Sequence, residues 1–422
     1  MNSFLSFAGQ PAALAVAYST SVSRQVIKRR SRGFICVNAH PEGCRLNVER
    51  QIAVAEQAPP RERPPRNVLV IGASTGYGLA SRIAAGWGYA ARTLGVFFER
   101  PPDDEKTATA GYYNTVALDE RAKSDGLLAA HINGDAFSDE CKREAIEIVR
   151  RDLSPLDLIV YSLASPKRTH PRTGTVHNSA LKPIGQAYSS RTIELDSEKV
   201  ANVTLPPANE KEIADTVAVM GGEDWRFWIE ALAGEGLLAP GVRTLAYSYI
   251  GPEMTWPIYR DGTIGRAKND LEQTAQSLDA FLSPKFGGRA LICVNKAVVT
   301  QASAAIPVVP LYLSLLIKVM NEKRLEEGPI EQMRRLFADV LATSADPRTD
   351  AAGRLRLDDR EMRADVQAEI ARLWPQVTSE NLRSTTDFAG FQRQFRNLFG
   401  FEVEGVDYER PVEISAELPS KR

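Results

Sequence analysis

Tyr259 and Lys268 stand nine residues apart in YRDGTIGRAK. A phenol beside an ammonium can manage a proton at a developing oxyanion. On one straight helix that offset is about 900°, which puts the two side chains on opposite sides. They converge only if a helix begins between them. Asp261-Gly262 is a turn signal and Thr263 a candidate N-cap. The spacing therefore predicts Tyr259 on a loop and Lys268 in the first turns of the helix that follows. From there the lysine would bind ribose hydroxyls of a cofactor, and its charge would favour the ionised phenol and lower the tyrosine pKa. Taken alone, a Tyr/Lys pair at this distance is a chance event in most chains.

What gives the pair weight is a distant glycine turn. Asn67–Gly78, NVLVIGASTGYG, is an apolar run that ends in Gly72, Gly76 and Gly78. Such a turn lets the backbone approach a dinucleotide pyrophosphate, and a helix N-terminus behind it supplies free N–H groups. The spacing is the looser form seen in short-chain reductases rather than G-x-G-x-x-G. The contacts would come from Gly72, Ala73, Ser74, Thr75, Gly76 and Tyr77. A second strand ends at Phe98-Glu99, about 21–23 residues beyond Gly78 and Gly76. An acid there can accept hydrogen bonds from the adenosine ribose and repel a 2′-phosphate, which favours NADH. Arg100 is the opposing signal, since it can pair with a 2′-phosphate. Asp135-Ala136 and Leu163-Ala164 follow the third and fourth strands. An Asp at the first place suits the adenine, and small residues at the second suit the nicotinamide ribose.

These residues need a frame to position them. After a Pro/Arg-rich linker at Ala58–Arg66, the pattern alternates strand and helix: strands at Val68–Ile71, Thr93–Phe98, Leu128–Asn133 and Leu158–Ser162, with helices at Tyr77–Ala85, Thr115–Ser124 and Ser138–Asp152. Apolar residues on both faces of these strands imply a parallel sheet covered by helices. A helix at Asp270–Leu282 and a strand at Ala290–Val294 continue the pattern. Helices are predicted at Leu311–Lys323, Ile330–Leu341 and Arg360–Trp374. The expected fold is α/β: a Rossmann-type, doubly wound parallel sheet with an extended helical C-terminal part. The expected divisions are an N-terminal extension (1–25), an N-terminal segment and linker (26–66), a cofactor-binding and catalytic core (67–310) and a helical part (311–422).

Composition narrows the classes further. The 422 residues carry 52 basic and 53 acidic side chains, a net charge of −1. This gives no bulk attraction to nucleic acid or anionic lipid. No run approaches 18 apolar residues, so no stable membrane insertion is expected. Four cysteines are too few and too dispersed for a disulfide framework. Cys36, His40 and Cys44 are too widely spaced for a zinc site and lack a fourth ligand, so no metal is expected. The first 41 residues contain no Asp or Glu but five basic residues and many serines. That suits a transit peptide or a plain tail. The protein is expected in the cytoplasm, or in a mitochondrion or other organelle if the extension is a transit peptide.

The sequence resembles the trans-2-enoyl-CoA reductase family, which includes the FabV-type enoyl-[acyl-carrier-protein] reductases. The likeness runs from about Ile27 to Tyr408, through RGFICVNAHPEGC (32–44), VLVIGASTGYGLASRI (68–83), LGVFFERP (94–101), INGDAFSDE (132–140), VYSLASPKRTHP (160–171), VAVMGGEDW (217–225), AYSYIGPE (246–253), KAVVTQASAAIP (296–307) and NLFGFEVEGVDY (397–408). Tyr-x8-Lys is the family's variant of the reductase pair. The resemblance implies NADH-dependent reduction of the 2,3-double bond of an enoyl thioester in fatty acid biosynthesis, carried on coenzyme A or acyl carrier protein, by a monomer. It implies Tyr259 as catalytic tyrosine, Lys268 as cofactor-binding lysine and Tyr249 as a substrate contact. It adds Ala297, Val298 and Val299 to the cofactor contacts.

The C-terminal segment of this family has been labelled flavin-binding. No Gly-rich turn follows a strand beyond residue 300, and Phe388, Phe391 and Phe395 at helical spacing suit a core, so no flavin is expected. Trp225, Trp228, Trp256 and the apolar helix Leu311–Met320 are candidate walls for an acyl groove, with core packing the alternative for each. A short-chain dehydrogenase acting on a carbonyl would show Tyr-x3-Lys, but Tyr161, Tyr188, Tyr247 and Tyr249 each lack a lysine four residues on. A non-catalytic NAD sensor would have no need of Tyr259 and Lys268 together.

Overall fold

A computed structural model describes residues 24–343 and 347–418. The expected extension at 1–25 lies outside the described residues up to 23, and its last two residues, Arg24–Gln25, pair with Val412–Glu413. The frame is a seven-stranded parallel sheet: β1 (Asn67–Ile71), β2 (Arg92–Phe97), β3 (Ala129–Asn133), β4 (Leu156–Tyr161), β5 (Leu238–Ser248), β6 (Arg289–Val294) and β7 (Arg354–Arg356), in the order β7-β6-β5-β4-β1-β2-β3. Chain order reverses between β1 and β4. In open α/β sheets that reversal opens a crevice outside the carboxyl ends of the strands.

The residues of β1 explain why it sits centrally. All five are buried. Val68 and Val70 project into one apolar cluster with Leu79, Ile83, Met333 and Phe337. Leu69 and Ile71 project the other way, into a cluster with Trp225, Trp228, Leu271 and Leu278. Successive strand side chains point to opposite faces, so an uninterrupted apolar run fits a strand with helices on both sides. Gly76–Tyr89, Pro41–Ala55 and Pro329–Leu336 cover the first face; Glu223–Gly234 and Thr263–Phe286 cover the second. A third cluster joins Tyr259, Ile264, Leu311, Tyr312, Phe388 and Phe391 beside the strand ends.

The predicted strands and helices appear close to their expected bounds, with instructive exceptions. Ser138 caps its helix as expected, its hydroxyl accepting the Cys141 N–H at 3.1 Å. Helix Pro41–Ala55 falls in a segment expected only as an N-terminal lead-in, and His40 is its cap, the Nδ1 accepting the Gly43 N–H at 3.2 Å. β5 was not predicted. Pro240-Gly241 interrupt its first half and its register with β4 shifts between Leu238 and Arg243, so only its second half has regular strand character. β7 lies within the stretch expected to be helical. Between β4 and β5 the chain inserts an antiparallel hairpin, Tyr188–Glu194 with Lys199–Leu205, and helices Glu210–Met220 and Glu223–Gly234.

One buried ion pair ties the β3 loop to this frame. Lys142 Nζ lies 2.7 Å from Asp224 Oδ1, with the side chains 5% and 2% exposed. The ammonium also donates to the Ala136 and Phe137 carbonyls at 3.0 Å, and Tyr161 donates to Asp224 Oδ2 at 3.2 Å. Asp224→Ala leaves that ammonium buried without its anion. Urea denaturation is expected to reveal a loss of about 3–5 kcal/mol; a loss below about 1 kcal/mol would show that the pair does not hold the fold.

Candidate active site

The crevice at the strand reversal is built by backbone contact. Gly72 has φ +85°, and a β-carbon there would lie 2.4 Å from the Ser162 carbonyl oxygen at the end of β4. Its N–H donates to Val96 O at 2.8 Å. Gly78, in the first turn of the next helix, lies so close to Gly72 that a β-carbon would meet the Gly72 carbonyl oxygen at 1.8 Å. The helix Gly76–Tyr89 therefore starts directly over the turn, its dipole end facing the crevice. Its N-cap, Thr75, makes no side-chain capping bond.

From this turn the other strand ends follow in order. Ser74 Oγ donates to Glu99 Oε1 at 2.7 Å. Asn133, the last residue of β3, brackets Glu99: its Oδ1 accepts the Glu99 N–H at 2.9 Å and its Nδ2 donates to the Glu99 carbonyl at 2.8 Å. Phe98 is 79% exposed. Asp135 Oδ1 accepts the Phe137 N–H at 3.0 Å, while Ala136 is buried and its carbonyl accepts from Lys142 and from Trp228 Nε1 at 3.1 Å. Leu163 and Ala164 continue from Ser162, and the Leu163 amide lies 3.1 Å from where a Gly72 β-carbon would sit. On the far side, Tyr77 Oη donates to Lys296 O at 2.7 Å, which joins the turn to the loop carrying Ala297, Val298 and Val299. Five separate stretches of sequence thus form one continuous rim.

The two residues expected to be catalytic each lie against a tyrosine at the end of β5. Tyr259 lies in a turn, and the helix Thr263–Phe286 begins after it, as the spacing predicted. The cap differs from expectation. Gly262 is the N-cap and Thr263 the first helical residue, because the Thr263 hydroxyl donates to Ala180 O instead. Lys268 Nζ donates to the Tyr247 carbonyl at 3.1 Å. Two residues on, Tyr249 stands edge-on to the Tyr259 ring, 5.0 Å between centroids at 83°.

The electrostatics depart from the sequence-based expectation. Burial pushes the Tyr259 phenol above its ordinary range, and the nearby Glu361 carboxylate adds to the rise. The lowering expected from Lys268 is not found: burial, which disfavours the phenolate, and Glu361 both act upward. Tyr259 is therefore held protonated, as a proton donor must be. Burial also pulls the Lys268 ammonium down to about 8, against Glu272, which acts the other way.

Several expected groove walls are not walls. Trp225 and Trp228 are sealed in the core under the sheet, their indole N–H groups spent on Thr244 Oγ1 and Ala136 O. Trp256 is partly buried and covered by the Arg260 guanidinium at 4.1 Å. The helix Val309–Glu322 does reach the site through Tyr312. Sequence reasoning missed Tyr312 within that apolar run. It also missed Glu361, which sits in a charged stretch, LDDREMRAD, that resembles a solvated surface. Phe388, Phe391 and Phe395 are buried in the third apolar cluster. Among the described residues no group of three or more His, Cys, Asp or Glu side chains is placed to hold a metal, and no helix is long and apolar enough to cross a membrane.

The sheet order, the glycine turn and the strand-end rim define a Rossmann-type, dinucleotide-binding α/β fold. Residues 106–342 match the family model for the trans-2-enoyl-CoA reductase catalytic region, and residues 26–104 match that for the NAD(P)H binding domain of trans-2-enoyl-CoA reductase. The chain belongs to the trans-2-enoyl-CoA reductase family. Residues 349–412 match a model described as an enoyl reductase FAD binding domain. The chain is 53% identical over 388 residues to an enoyl-[acyl-carrier-protein] reductase [NADH] of Opitutus terrae, covering 92% of this chain and 98% of that one. It is 54% identical over 396 residues to the same-named protein of Coxiella burnetii, covering 94% and 98%. Among solved structures it is similar to the Treponema denticola trans-2-enoyl-CoA reductase in complex with NAD, with a TM-score of 0.88 and 47% identity, covering 94% of this chain and 100% of that one. The Clostridium acetobutulicum enzyme with NADH gives a TM-score of 0.89 and 41% identity, covering 92% and 98%.

The closeness of Gly78 to Gly72 sets a test. Gly78→Ala gains about 1 kcal/mol of helix propensity. Its methyl group overlaps the Gly72 carbonyl, a clash expected to cost about 3 kcal/mol. Thermal or urea unfolding should show net destabilisation. A variant as stable as the native protein would mean that the turn yields freely.

Proposed function

We propose that this protein reduces the 2,3-trans double bond of an enoyl thioester, on coenzyme A or acyl carrier protein, with NADH as the reductant. The observation that carries the proposal is the convergence of Tyr259, Tyr249 and Lys268 at the end of β5, beside a glycine turn shaped for a pyrophosphate. Proteins with the same arrangement of segments bear the corresponding names.

The crevice fits a dinucleotide, since the space where β-carbons of Gly72 and Gly78 would stand is already taken up by backbone, leaving a smooth peptide surface at a helix N-terminus. The residues that would hold NADH are Gly72–Tyr77 at the pyrophosphate, Glu99 at the adenosine ribose, Asp135-Ala136 at the adenine, and Leu163-Ala164, Lys268 and Ala297–Val299 at the nicotinamide end. Ser74 keeps Glu99 turned toward the glycine turn, which supports NADH over NADPH. Bound there, NADH supplies a hydride for the β-carbon of the enoyl group, and negative charge collects on the thioester oxygen. Tyr259, held protonated by its surroundings, stabilises that oxygen and donates the proton in enolate collapse. Tyr249 adds a second hydroxyl next to it.

A reading without flavin is supported by the chain itself. The segment matched to a flavin-binding model contributes to the seven-stranded sheet β7, which runs into Leu357-Asp358-Asp359 with no glycine turn, and its phenylalanines are packed inward. These residues do not fit a flavin pyrophosphate. The monomer implied by the resemblance is kept as the proposed active unit.

NADH oxidation on addition of crotonyl-CoA tests the reading, and a dead assay with tight NADH binding would favour a sensor. Tyr259→Phe should lower kcat by about 10²–10³ with NADH affinity nearly unchanged; native turnover in that variant would sink the assignment. NADH affinity should also weaken as pH rises through about 8, where Lys268 loses its charge. Lys268→Arg, charged to beyond about pH 12, should flatten that dependence. A pH-dependent affinity that persists in the variant would remove Lys268 from the cofactor site.

A further inference from the structure

Three neighbouring strands, β5, β6 and β7, send their following loops to one buried carboxylate. Glu361, after β7, is fully buried. Its Oε1 accepts the Tyr249 hydroxyl at 3.1 Å and the Tyr312 hydroxyl at 2.7 Å. Its Oε2 accepts the N–H of Ala297 at 2.7 Å. Gln367 Nε2 donates to the Glu361 carbonyl at 2.7 Å and to Tyr312 Oη at 3.2 Å, which fixes the turn.

A phenol has a single proton to donate. An ionised carboxylate is acceptor-only, so while Glu361 is charged the Tyr249 proton is committed to it and is withheld from a substrate. A protonated Glu361 reverses the bond. Its O–H donates to Tyr249 Oη, its Oε1 lone pair still accepts Tyr312, and its Oε2 still accepts Ala297. The Tyr249 proton is then free. Resting on the enoyl-thioester reading above, we propose that Glu361 is a positioning residue that decides whether Tyr249 donates its hydroxyl proton to the thioester oxygen.

The groups facing Glu361 bear on this. From β5 come Tyr249 and, edge-on behind it, Tyr259. Tyr312 comes from the helix Val309–Glu322. Lys296, after β6, is paired with Glu326 at 3.1 Å. Asp358, in the same loop as Glu361, is paired with Arg356. Burial is the largest influence on Glu361 and raises its pKa, with Asp358 adding to the rise; the Tyr312 and Ala297 donors and Lys296 act against it. The raised value places the switch nearer to working pH than for an exposed glutamate.

The test is kcat/KM for an enoyl thioester against pH at saturating NADH, which keeps Lys268 out of the profile. The native enzyme should fall by about 10²-fold across the Glu361 transition, to a lower alkaline plateau sustained by Tyr259. Glu361→Gln imitates the protonated acid toward Tyr249 and Ala297: its amide nitrogen donates to Tyr249 and its carbonyl accepts the Ala297 N–H, while Tyr312 alone loses its acceptor. It should match the native acid-side plateau and stay flat where the native enzyme falls. Tyr312→Phe removes a donor that favours the charged carboxylate, and it should move the native transition to higher pH. An active native enzyme with a flat profile, a Glu361→Gln variant that keeps the alkaline fall, or a Tyr312→Phe transition that stays put would each overturn the proposal. A folded native enzyme that reduces no enoyl thioester at any pH would instead remove the reading on which it rests.

Discussion

The backbone crossing at Gly72 is the constraint on which the rest of the site depends. Here the end of β1 lies against the end of β4, with Ser162 O where a β-carbon would have to go. A side chain at this position would push apart the two strands between which the sheet reverses direction. The rim depends on that approach. Ser74 reaches Glu99 and Tyr77 reaches Lys296 only because the turn stays low and the helix Gly76–Tyr89 starts directly over it. A smooth peptide surface facing a helix dipole is a general anion site. Chemistry is added by the loops that follow the other strands.

Those loops divide the labour. The β2 and β3 ends hold the acidic and small residues, braced from below by the buried pair Lys142–Asp224. The β5, β6 and β7 ends supply tyrosines, a lysine and the buried Glu361. The C-terminal part is therefore more than a cover. Through Tyr312 and Glu361 it is hydrogen-bonded to the side chain that stands against Tyr259. Residues 349–412 are thereby joined, through Glu361, to the end of the crevice where Tyr249 and Tyr259 stand.

How much of this was legible in the sequence follows from how local each signal is. β1 and the glycine turn were legible because both of their causes, burial on two faces and close backbone approach, are written in adjacent residues. The new helix between Tyr259 and Lys268 was legible from Asp261-Gly262. β5 was hidden by Pro240-Gly241 and a shifted register, and β7 by its brevity, since three residues form a strand only when β6 is there to pair with. Glu361 was hidden with it, because an acid in a charged run looks solvated until a fold buries it. The pKa of Tyr259 was misjudged for the same reason: the lysine was visible in sequence, while the burial and the Glu361 charge that raise the phenol were not. Trp225 and Trp228 look alike as groove wall or core, and only packing tells these apart.

The tyrosine cluster at the end of β5 is proposed to serve a carbon–carbon double bond polarised by a thioester. The direct measurement is product analysis after reduction of an enoyl thioester with NADH deuterated at the transferred position. The expected product is a saturated acyl thioester with deuterium on the β-carbon and a solvent-derived proton on the α-carbon. Deuterium on a carbonyl-derived carbon, with the double bond intact, would contradict it and make the protein a carbonyl reductase on the same fold.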